Sequence, residues 1–216
     1  MTENLTQKST KRIVIFASGG GSNFRAIHSK IEDSIISAEI VLVVSNNPTC
    51  GAIEYAKNNG ISTIIINSKG YPDKFGYLDA MRSSIRASTA DLVVLAGFMK
   101  LIPKEIVKEY TNKIINIHPA LLPAFGGKGL FGMNVHKAVI ESGAKYSGPT
   151  VHFVNEEYDK GSIIAQRIVS VFPDDSPEDL AKRVLIEEHK IYPEVVKAIC
   201  ENRIKISKNK TSWIEE

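Results

Sequence analysis

Short apolar runs alternate with helix-like stretches through the first half of the chain, and this alternation is the feature that most constrains the fold. Each run is rich in β-branched residues, whereas the stretches between the runs repeat apolar residues at helical spacing. Strands that are apolar on both faces and joined by helices form parallel sheets covered on both sides. The sequence therefore predicts five parallel strands, at residues 12–18, 38–46, 62–68, 90–98 and 113–119.

The pattern changes after the fifth of these runs. A glycine-rich stretch at 124–134 precedes one helix, and two strand-like runs at 148–155 and 162–171 flank the turn sequence EEYDKG. This arrangement is typical of an antiparallel pair, and a long helical pattern at 176–200 is expected to close the domain. We predict an α/β fold, with a Rossmann-like, mostly parallel twisted sheet, helices on both faces and an antiparallel pair in the C-terminal half.

Composition limits the compartment and the partners. The 216 residues suffice for one large domain, expected over 1–216 with residues 1–11 frayed. The net charge of +3 is spread along the chain and forms no basic arm. Cys50 and Cys200 lie in no metal-type spacing, which favours a reducing compartment and argues against a zinc site. The sequence contains neither a run of about 20 apolar residues nor a signal-peptide core. We expect a soluble cytoplasmic protein, a monomer or homodimer, without nucleic-acid, membrane or metal partners.

A glycine-rich loop, ASGGGSN, follows the first predicted strand and precedes a helix that we expect to be capped near Ser22 or Asn23. The dinucleotide fingerprint fails in this loop, because Phe24 stands where a small residue is required. A P-loop interpretation of GGKG fails at Gly129, which replaces the Ser or Thr that binds magnesium. Two interpretations remain open: the loop amides hold one phosphomonoester, or the loop is a plain tight turn.

The stretch NIHPALLP places two polar side chains at the end of the fifth predicted strand. Residues two apart in a strand point to one face, so Asn116 and His118 should project together while Ile117 packs into the core. A structural network of hydrogen bonds explains the pair nearly as well as chemistry does. The chemical alternative is acyl transfer, in which Asn116 donates to a developing oxyanion and His118 is an electrostatic partner or proton carrier.

Asp159, in the turn EEYDKG, is a candidate partner for the imidazole. A carboxylate near His118 would favour the imidazolium and raise its pKa. Ordinary turn chemistry before Gly161 accounts for the aspartate equally well. No serine or cysteine stands in a nucleophile elbow, so direct transfer between two bound substrates is favoured over a covalent acyl-enzyme.

Five motifs in order resemble the phosphoribosylglycinamide formyltransferase family: RIVIFASGGGSNFRAI, VVLAGFMKLIP, INIHPALLP, GPTVHFVNEEYDKGSII and EEHKIYP. The resemblance covers most of the chain. It implies a single formyltransferase domain that transfers a formyl group directly from the co-substrate 10-formyltetrahydrofolate to the amino group of glycinamide ribonucleotide, in purine biosynthesis. It also implies a phosphate-binding half at 12–111 and a folate-binding and catalytic half at 112–216.

The same resemblance implies roles for individual residues. Asn116 and His118 match the catalytic pair, and Asp159 matches an aspartate that raises the pKa of the histidine. Substrate-binding roles fall to Gly21, Ser22, Asn23 and Glu188, and folate-contacting roles fall to Asn116, Met99, Lys100, Leu101, Ile102 and, by a weaker alignment, Lys74.

The sequence departs from the family pattern between Pro123 and His136, where AFGGKGLFGMNV is longer than the usual connection. The role of this glycine-rich insertion and of Lys128 stays open, as does the choice between a core and a site position for His152. Four rival functions are formyl transfer to methionyl-tRNA or a sugar nucleotide, hydrolysis of the folate, nicotinamide-dependent oxidation, and nucleotide binding without catalysis. The failed fingerprint disfavours oxidation, and passive binding predicts no convergence of Asn116, His118 and Asp159.

Overall fold

A seven-stranded sheet lies at the centre of the fold in the computed structural model, which describes residues 10–214. The strands are β1 (Lys11–Phe16), β2 (Ala38–Ser45), β3 (Thr63–Ile65), β4 (Leu92–Leu95), β5 (Ile114–His118), β6 (Tyr146–Ser147), β7 (Thr150–Phe153), β8 (Ile163–Gln166), β9 (Val169–Ser170), β10 (Ile204–Ser207) and β11 (Lys210–Trp213). The helices are α1 (Ser22–Glu32), α2 (Gly51–Asn58), α3 (Lys74–Ala87), α4 (Lys104–Glu109), α5 (Met133–Glu141) and α6 (Pro177–Cys200).

The strand order in the sheet is β3-β2-β1-β4-β5-β7-β8. Neighbouring strands from β3 to β5 pair in parallel, whereas β7 runs antiparallel to β5 and β8 antiparallel to β7. The predicted fold class is therefore confirmed. The chain progresses from β1 outward to β3 and then returns to the other side of β1, so the strand order reverses between β1 and β4. Ligands of open α/β sheets bind at such a reversal, outside the carboxyl ends of the strands.

Strand β1 illustrates how the sheet becomes buried on both faces. Ile13 and Ile15 pack into a cluster that includes residues of α1 and α6, while Val14 and Phe16 pack into one that includes residues of α3 and α4. All four side chains are fully buried, and each such burial contributes roughly 1.5–3 kcal/mol. Alternate side chains of this all-apolar strand thus pack against the helices on opposite faces of the sheet.

The predicted strand at 162–171 is in fact two strands. The first, β8, belongs to the central sheet, while β9 pairs with β6 in a separate two-stranded sheet. The chain bends where Arg167 meets Gly148, and a Cβ at Gly148 would lie 1.8 Å from the Arg167 carbonyl oxygen. Only glycine permits this approach, so the backbone leaves the sheet although the apolar pattern continues.

The prediction that the final helix closes the domain was wrong, because the hairpin β10–β11 follows it. The Thr211 hydroxyl donates to the Ile163 carbonyl at 2.6 Å, and the Trp213 indole N–H donates to the Ile164 carbonyl at 3.1 Å. The hairpin therefore supplies side-chain donors to β8, an outer strand whose free edge would otherwise be a template for pairing. Lys208 and Asn209 adopt positive φ in the hairpin turn.

At the N-terminus, Lys11 already belongs to β1, so the strand begins one residue earlier than predicted. Residues 1–9 of the segment expected to be frayed lie outside the described residues. Within the described part of the chain, every helix is too short or too polar to cross a membrane. The division into a single domain stays a prediction.

Candidate active site

An open cavity of about 520 Å³ lies at the carboxyl ends of β4 and β5, beside the strand-order reversal. Its volume is within the range of small-molecule sites. It gathers groups from six parts of the chain: the start of α1, the segment after β4, the end of β5, the glycine-rich insertion, the β7–β8 connection and helix α6. Most of the residues singled out from the sequence meet in this cavity, including Asn23, Met99–Ile102, Asn116, His118, Asp159 and Glu188.

Strand β5 presents its two polar side chains to the cavity as predicted. Asn116 and His118 both line it, whereas Ile117 belongs to a buried apolar cluster. Pro119 follows immediately and also lines the cavity, so the strand ends where the cavity begins. The His118 side chain is nearly enclosed, with 3% of the residue exposed.

Both ring nitrogens of His118 face protein acceptors. Nε2 lies 2.8 Å from the carbonyl oxygen of Phe125, and because a carbonyl only accepts, Nε2 carries a proton. Nδ1 lies 3.7 Å from the Oδ2 atom of Asp159. Two acceptors around one ring favour the imidazolium form, so a positive charge on His118 would be stabilised from both sides.

Burial outweighs those two acceptors in the resting protein. Desolvation lowers the pKa of His118 below its ordinary value of 6.5, while the Asp159 carboxylate and the Phe125 carbonyl raise that pKa only in part. The expectation that Asp159 acts to raise the pKa of His118 has the correct direction for that contribution, but the net shift is downward. His118 is therefore mainly neutral near pH 7.

The glycine-rich insertion, whose role the sequence left open, holds Asp159 in place. Asp159 has a positive φ of 54°, and its Oδ2 accepts a hydrogen bond of 2.9 Å from the Gly127 N–H. A Cβ at Gly126 would lie 2.5 Å from Leu122 Cδ2 and 3.1 Å from Asp159 Cβ. The same insertion supplies the Phe125 carbonyl to His118. Lys128 is exposed and stands at the cavity wall.

His152 belongs to the site and is the group that sequence reasoning did not assign. Its Nδ1 lies 2.9 Å from the Phe153 carbonyl and therefore carries the proton. Its Nε2 lies 3.2 Å from Asn116 Nδ2 and 3.7 Å from Asp159 Oδ1. Burial is the largest cause of a lowered pKa at His152, so Nε2 is an acceptor for the Asn116 amide. The pairing of β5 with β7 sets Asn116 directly opposite His152.

Helix α1 begins without a side-chain cap, which corrects the expectation of a cap at Ser22 or Asn23. The N-cap is Gly21 in the left-handed region, at φ 74°. A Cβ at Gly21 would lie 2.8 Å from Ala52 Cβ, so only glycine fits. The first-turn N–H groups of α1 thus have no capping side chain and suit an anion.

Asn23 and Glu188 form a buried polar pair at the cavity wall. The Asn23 amide donates to Glu188 Oε2 at 2.6 Å, and burial raises the pKa of Glu188, an effect that the Asn23 hydrogen bond opposes. Among the described atoms, Asn23 Oδ1 is buried without a partner. A buried acceptor left unsatisfied costs about 1–3 kcal/mol, so this pair is suited to a ligand that supplies donors. The two residues lie 165 positions apart, which sequence spacing alone cannot connect.

The segment after β4 forms the apolar wall of the cavity. Met99 and Leu101 are 49% and 41% exposed, although both are apolar, whereas Ile102 is 3% exposed and anchors the segment in the core. Lys100 also lines the cavity. Lys74, the remaining predicted folate contact, is the first residue of α3, is exposed and does not line the cavity. Its role stays a prediction.

The reversal of strand order, the polar cluster on β5 and β7, and the apolar wall define a two-substrate transfer site. The chain belongs to the formyl transferase family, whose sequence model matches residues 11–196. A protein of Arabidopsis thaliana named phosphoribosylglycinamide formyltransferase, chloroplastic, is 55% identical over 196 residues, which cover 90% of this chain and 67% of the relative. A Vigna unguiculata protein of the same name is 50% identical over 195 residues, which cover 90% of this chain and 62% of the relative.

The chain thus spans about two thirds of the length of these plant relatives. Among solved structures, glycinamide ribonucleotide transformylase 1 from Symbiobacterium toebii matches with a TM-score of 0.91 and 34% sequence identity. That match covers 99% of this chain and 99% of the other. The resemblance found in the five sequence motifs is therefore confirmed over nearly the whole chain.

Proposed function

We propose that this protein transfers the formyl group of 10-formyltetrahydrofolate to the amino group of N1-(5-phosphoribosyl)glycinamide, a step of de novo purine biosynthesis. The observation that carries the proposal is the convergence of Asn116, His118, His152 and Asp159 on a cavity that also has an apolar wall. The relatives named as phosphoribosylglycinamide formyltransferases support the choice of substrates.

The proposed reaction is a direct attack by the amine nitrogen on the formyl carbon. A carbon–nitrogen bond forms, the formyl oxygen gains negative charge and the attacking nitrogen gains positive charge. The Asn116 amide has two N–H groups, and one is directed at His152. The other N–H is left to donate to the developing oxyanion, which is the role of an oxyanion-hole donor.

His118 and Asp159 are proposed to handle charge and the proton. His118 Nε2 donates to the Phe125 carbonyl, so it cannot donate to the oxyanion while that hydrogen bond is intact. His118 then stabilises the oxyanion by electrostatic attraction at a distance. When the attacking amine loses its proton, the neutral imidazole and the Asp159 carboxylate, 3.7 Å apart, share it as an ion pair. The intermediate then collapses as the bond to folate N10 breaks, and the proton held by His118 and Asp159 passes to N10.

Both substrates have proposed binding groups. The backbone amides at the start of α1, those of the N-cap Gly21 and of Ser22 and Asn23, suit the phosphate of the ribonucleotide. The Glu188 carboxylate suits its ribose hydroxyls. Residues 99–102 and Asn116 are proposed to contact the folate, with Lys74 as a further contact at the surface. The proposed reaction requires no metal ion.

The test is an assay of folate deformylation with Asn116→Ala and His118→Ala variants. Asn116→Ala removes the proposed oxyanion donor, a loss that typically lowers the rate by about 10²–10³-fold. His118→Ala removes the proposed proton acceptor, whose contribution is typically about 10²–10⁴-fold. Each variant should therefore lose most of its kcat while retaining the fold, as checked by circular dichroism. Asn59→Ala, at the end of α2, is the matched control and should keep wild-type turnover. Near wild-type kcat in a folded Asn116→Ala or His118→Ala protein would refute the roles.

The same assay separates the proposal from its rivals. The wild-type protein is mixed with 10-formyltetrahydrofolate alone, with glycinamide ribonucleotide, or with another acceptor such as methionyl-tRNA. Turnover that requires glycinamide ribonucleotide supports the proposal. Loss of the formyl group at the same rate without any acceptor identifies a hydrolase.

The compartment and the oligomeric state are also proposals. Cys50 and Cys200 are free and buried, which suits the reducing cytoplasm, although the names of the plant relatives specify the chloroplast. We retain a cytoplasmic monomer or homodimer acting on small molecules without nucleic acid. Cell fractionation and light scattering test the two statements.

A further inference from the structure

Ser18 lies where three loops meet at the carboxyl end of the sheet. It follows β1, the strand between β2 and β4. The loop after β2 contains Asn46, and the loop after β4 contains Gly97 and Met99. Because β1 has both neighbours in parallel, residues that follow these three strands emerge side by side. The position makes Ser18 a candidate for fixing the loops against one another.

Three hydrogen bonds of Ser18 connect these loops. Its N–H donates to the Gly97 carbonyl at 3.1 Å, and its hydroxyl oxygen accepts from the Met99 N–H at 2.9 Å. The hydroxyl proton goes to Asn46 Oδ1 at 2.5 Å. The Asn46 carbonyl in turn accepts from the Asn67 amide at 3.1 Å. The hydroxyl is thus used both as donor and as acceptor.

The segment that Ser18 holds has few other anchors near the cavity. Strand β4 ends at Leu95, and the next fully packed apolar side chain of the cavity wall is Ile102. Between them, the Met99 side chain is half exposed and Gly97 has a positive φ of 77°. The Phe98 ring packs edge-on against Phe16. The hydrogen bond from the Met99 N–H to the Ser18 hydroxyl therefore attaches the proposed folate wall to the rest of the site.

On its other side, Ser18 leads directly into the proposed phosphate loop. A Cβ added at Gly19 or Gly20 would meet no heavy atom within 4 Å, so side-chain packing does not hold these two residues. The Gly19 carbonyl accepts from the Ala52 N–H at 3.1 Å. A shift of Ser18 would therefore be transmitted to residues 19–23 on one side and to residues 97–102 on the other.

We propose that Ser18 is a positioning residue that holds the folate wall at residues 99–102 in register with the phosphate loop at residues 19–23. This inference rests on the proposed function, which assigns the two substrates to those two segments. Ser18 touches neither reacting atoms nor the catalytic cluster. Its loss should weaken folate binding and leave the chemical step unchanged.

The first test compares Ser18→Ala with Ser18→Thr in the full chain. Losing a net hydrogen bond of this kind corresponds to about a 5- to 10-fold change in affinity. We expect Ser18→Ala to raise the KM for 10-formyltetrahydrofolate by that factor with kcat within about twofold of wild type. Ser18→Thr keeps the hydroxyl and should restore the KM.

Ser142→Ala is the matched control. The Ser142 hydroxyl also donates to a carbonyl, that of Val139, and accepts from a backbone N–H, that of Ala144. It lies at the end of α5, outside the cavity lining. A general loss of stability would affect both alanine variants, but the selective rise in the folate KM should occur only at Ser18.

Two readouts do not require turnover. Calorimetry with tetrahydrofolate should give a 5- to 10-fold larger Kd for Ser18→Ala, by the same hydrogen-bond argument, and amide hydrogen exchange at Met99 should accelerate in that variant.

If Ser18→Ala does not fold, Asn46→Ala, which removes the acceptor of the hydroxyl, should produce smaller changes in the same direction. Unchanged Met99 exchange, unchanged tetrahydrofolate affinity, or an equal rise in Ser142→Ala overturns the proposal. Failure of the wild-type protein to transfer formyl overturns only the proposed function.

Discussion

At the level of single residues, the site is defined by how its two histidines distribute protons. His118 has acceptors at both nitrogens, the Phe125 carbonyl and the Asp159 carboxylate. His152 has the Phe153 carbonyl at Nδ1, and its Nε2 lies closer to the Asn116 amide, at 3.2 Å, than to the Asp159 carboxylate, at 3.7 Å. In the proposed mechanism His118 becomes positively charged, while His152 stays neutral and accepts from Asn116. The pairing of β5 with β7 therefore places the proposed proton acceptor, His118, near the neutral His152.

Replacing His152 tests whether it orients the Asn116 amide. His152→Leu removes the acceptor and should lower kcat by about 5- to 10-fold, the effect expected for one net hydrogen bond. KM for both substrates should change little, because the lost orientation matters most when the oxyanion forms. His152→Gln retains a side-chain acceptor and should recover most of the rate. Equal kcat values for the Leu and Gln variants would show that the hydrogen bond does not orient Asn116.

At the level of elements, the glycine-rich insertion contacts the residues proposed to be catalytic. It supplies the Phe125 carbonyl to His118 and the Gly127 N–H to Asp159, and Gly126 packs against Asp159. The sequence presented this insertion as a departure from the family pattern. Its contacts with Asp159 span 32 positions, so they emerge only when the β7–β8 connection is folded onto it.

A methyl group at Gly126 should disturb the cluster without unfolding the chain. The new Cβ would lie 2.5 Å from Leu122 Cδ2 and 3.1 Å from Asp159 Cβ, and Leu122 is buried, so Asp159 must shift. A misplacement of about 1 Å costs about 100-fold in rate, and the 3.1 Å contact calls for a shift of Asp159 by a few tenths of an ångström. We therefore expect kcat of Gly126→Ala to fall by about 3- to 10-fold. Gly70→Ala, where a Cβ meets nothing within 4 Å, is the control and should behave as wild type. Unchanged kcat in Gly126→Ala would contradict the positioning role.

The elements also differ in how well the sequence predicted them. Periodicity located the parallel strands and long helices, because burial on both faces leaves an all-apolar pattern in strands such as β1 and β4. The same pattern failed at β9, which leaves the sheet at a bend that depends on Gly148 fitting against Arg167. The hairpin β10–β11 was missed because its strands have exposed or half-exposed side chains, and because Lys208–Asn209 is not one of the turn pairs, such as Asn-Gly or Asp-Gly, that mark a hairpin.

At the level of the whole molecule, the sequence predicted that Asn116, His118 and Asp159 lie together, but it did not predict the direction of the pKa shift at His118. The resemblance supplied Asn116, His118 and Asp159, and the cavity brings them together. Burial, which no local sequence pattern measures, reverses the net direction of the pKa shift at His118. His136, His152 and His189 have lowered pKa values as well, with burial as the first cause. The described histidines of the C-terminal half thus share one response to pH.

This shared response predicts acid sensitivity. A histidine whose pKa is lower in the folded protein than in the unfolded chain binds fewer protons when folded. The free energy of unfolding therefore falls as the pH decreases from the ordinary value of 6.5 toward the lowered pKa. Each fully responding histidine contributes a slope of about 1.4 kcal/mol per pH unit within that window. Glu188 binds more protons when folded, because burial raises its pKa. Its contribution therefore stabilises the folded protein as the pH falls and offsets part of the destabilisation by the histidines.

Urea denaturation at several pH values measures the slope. We expect little change in the free energy of unfolding between pH 8 and pH 7, where these histidines are neutral in both states, and a progressive fall below about pH 6.5. His136→Gln removes one buried imidazole whose Nδ1 lacks a hydrogen-bond partner among the described atoms, so its slope below pH 6.5 should be shallower than that of wild type. Glu188→Gln removes the opposing carboxyl and should make the fall steeper. If both variants retain the wild-type slope, the acid sensitivity does not arise from the buried groups of the cavity region.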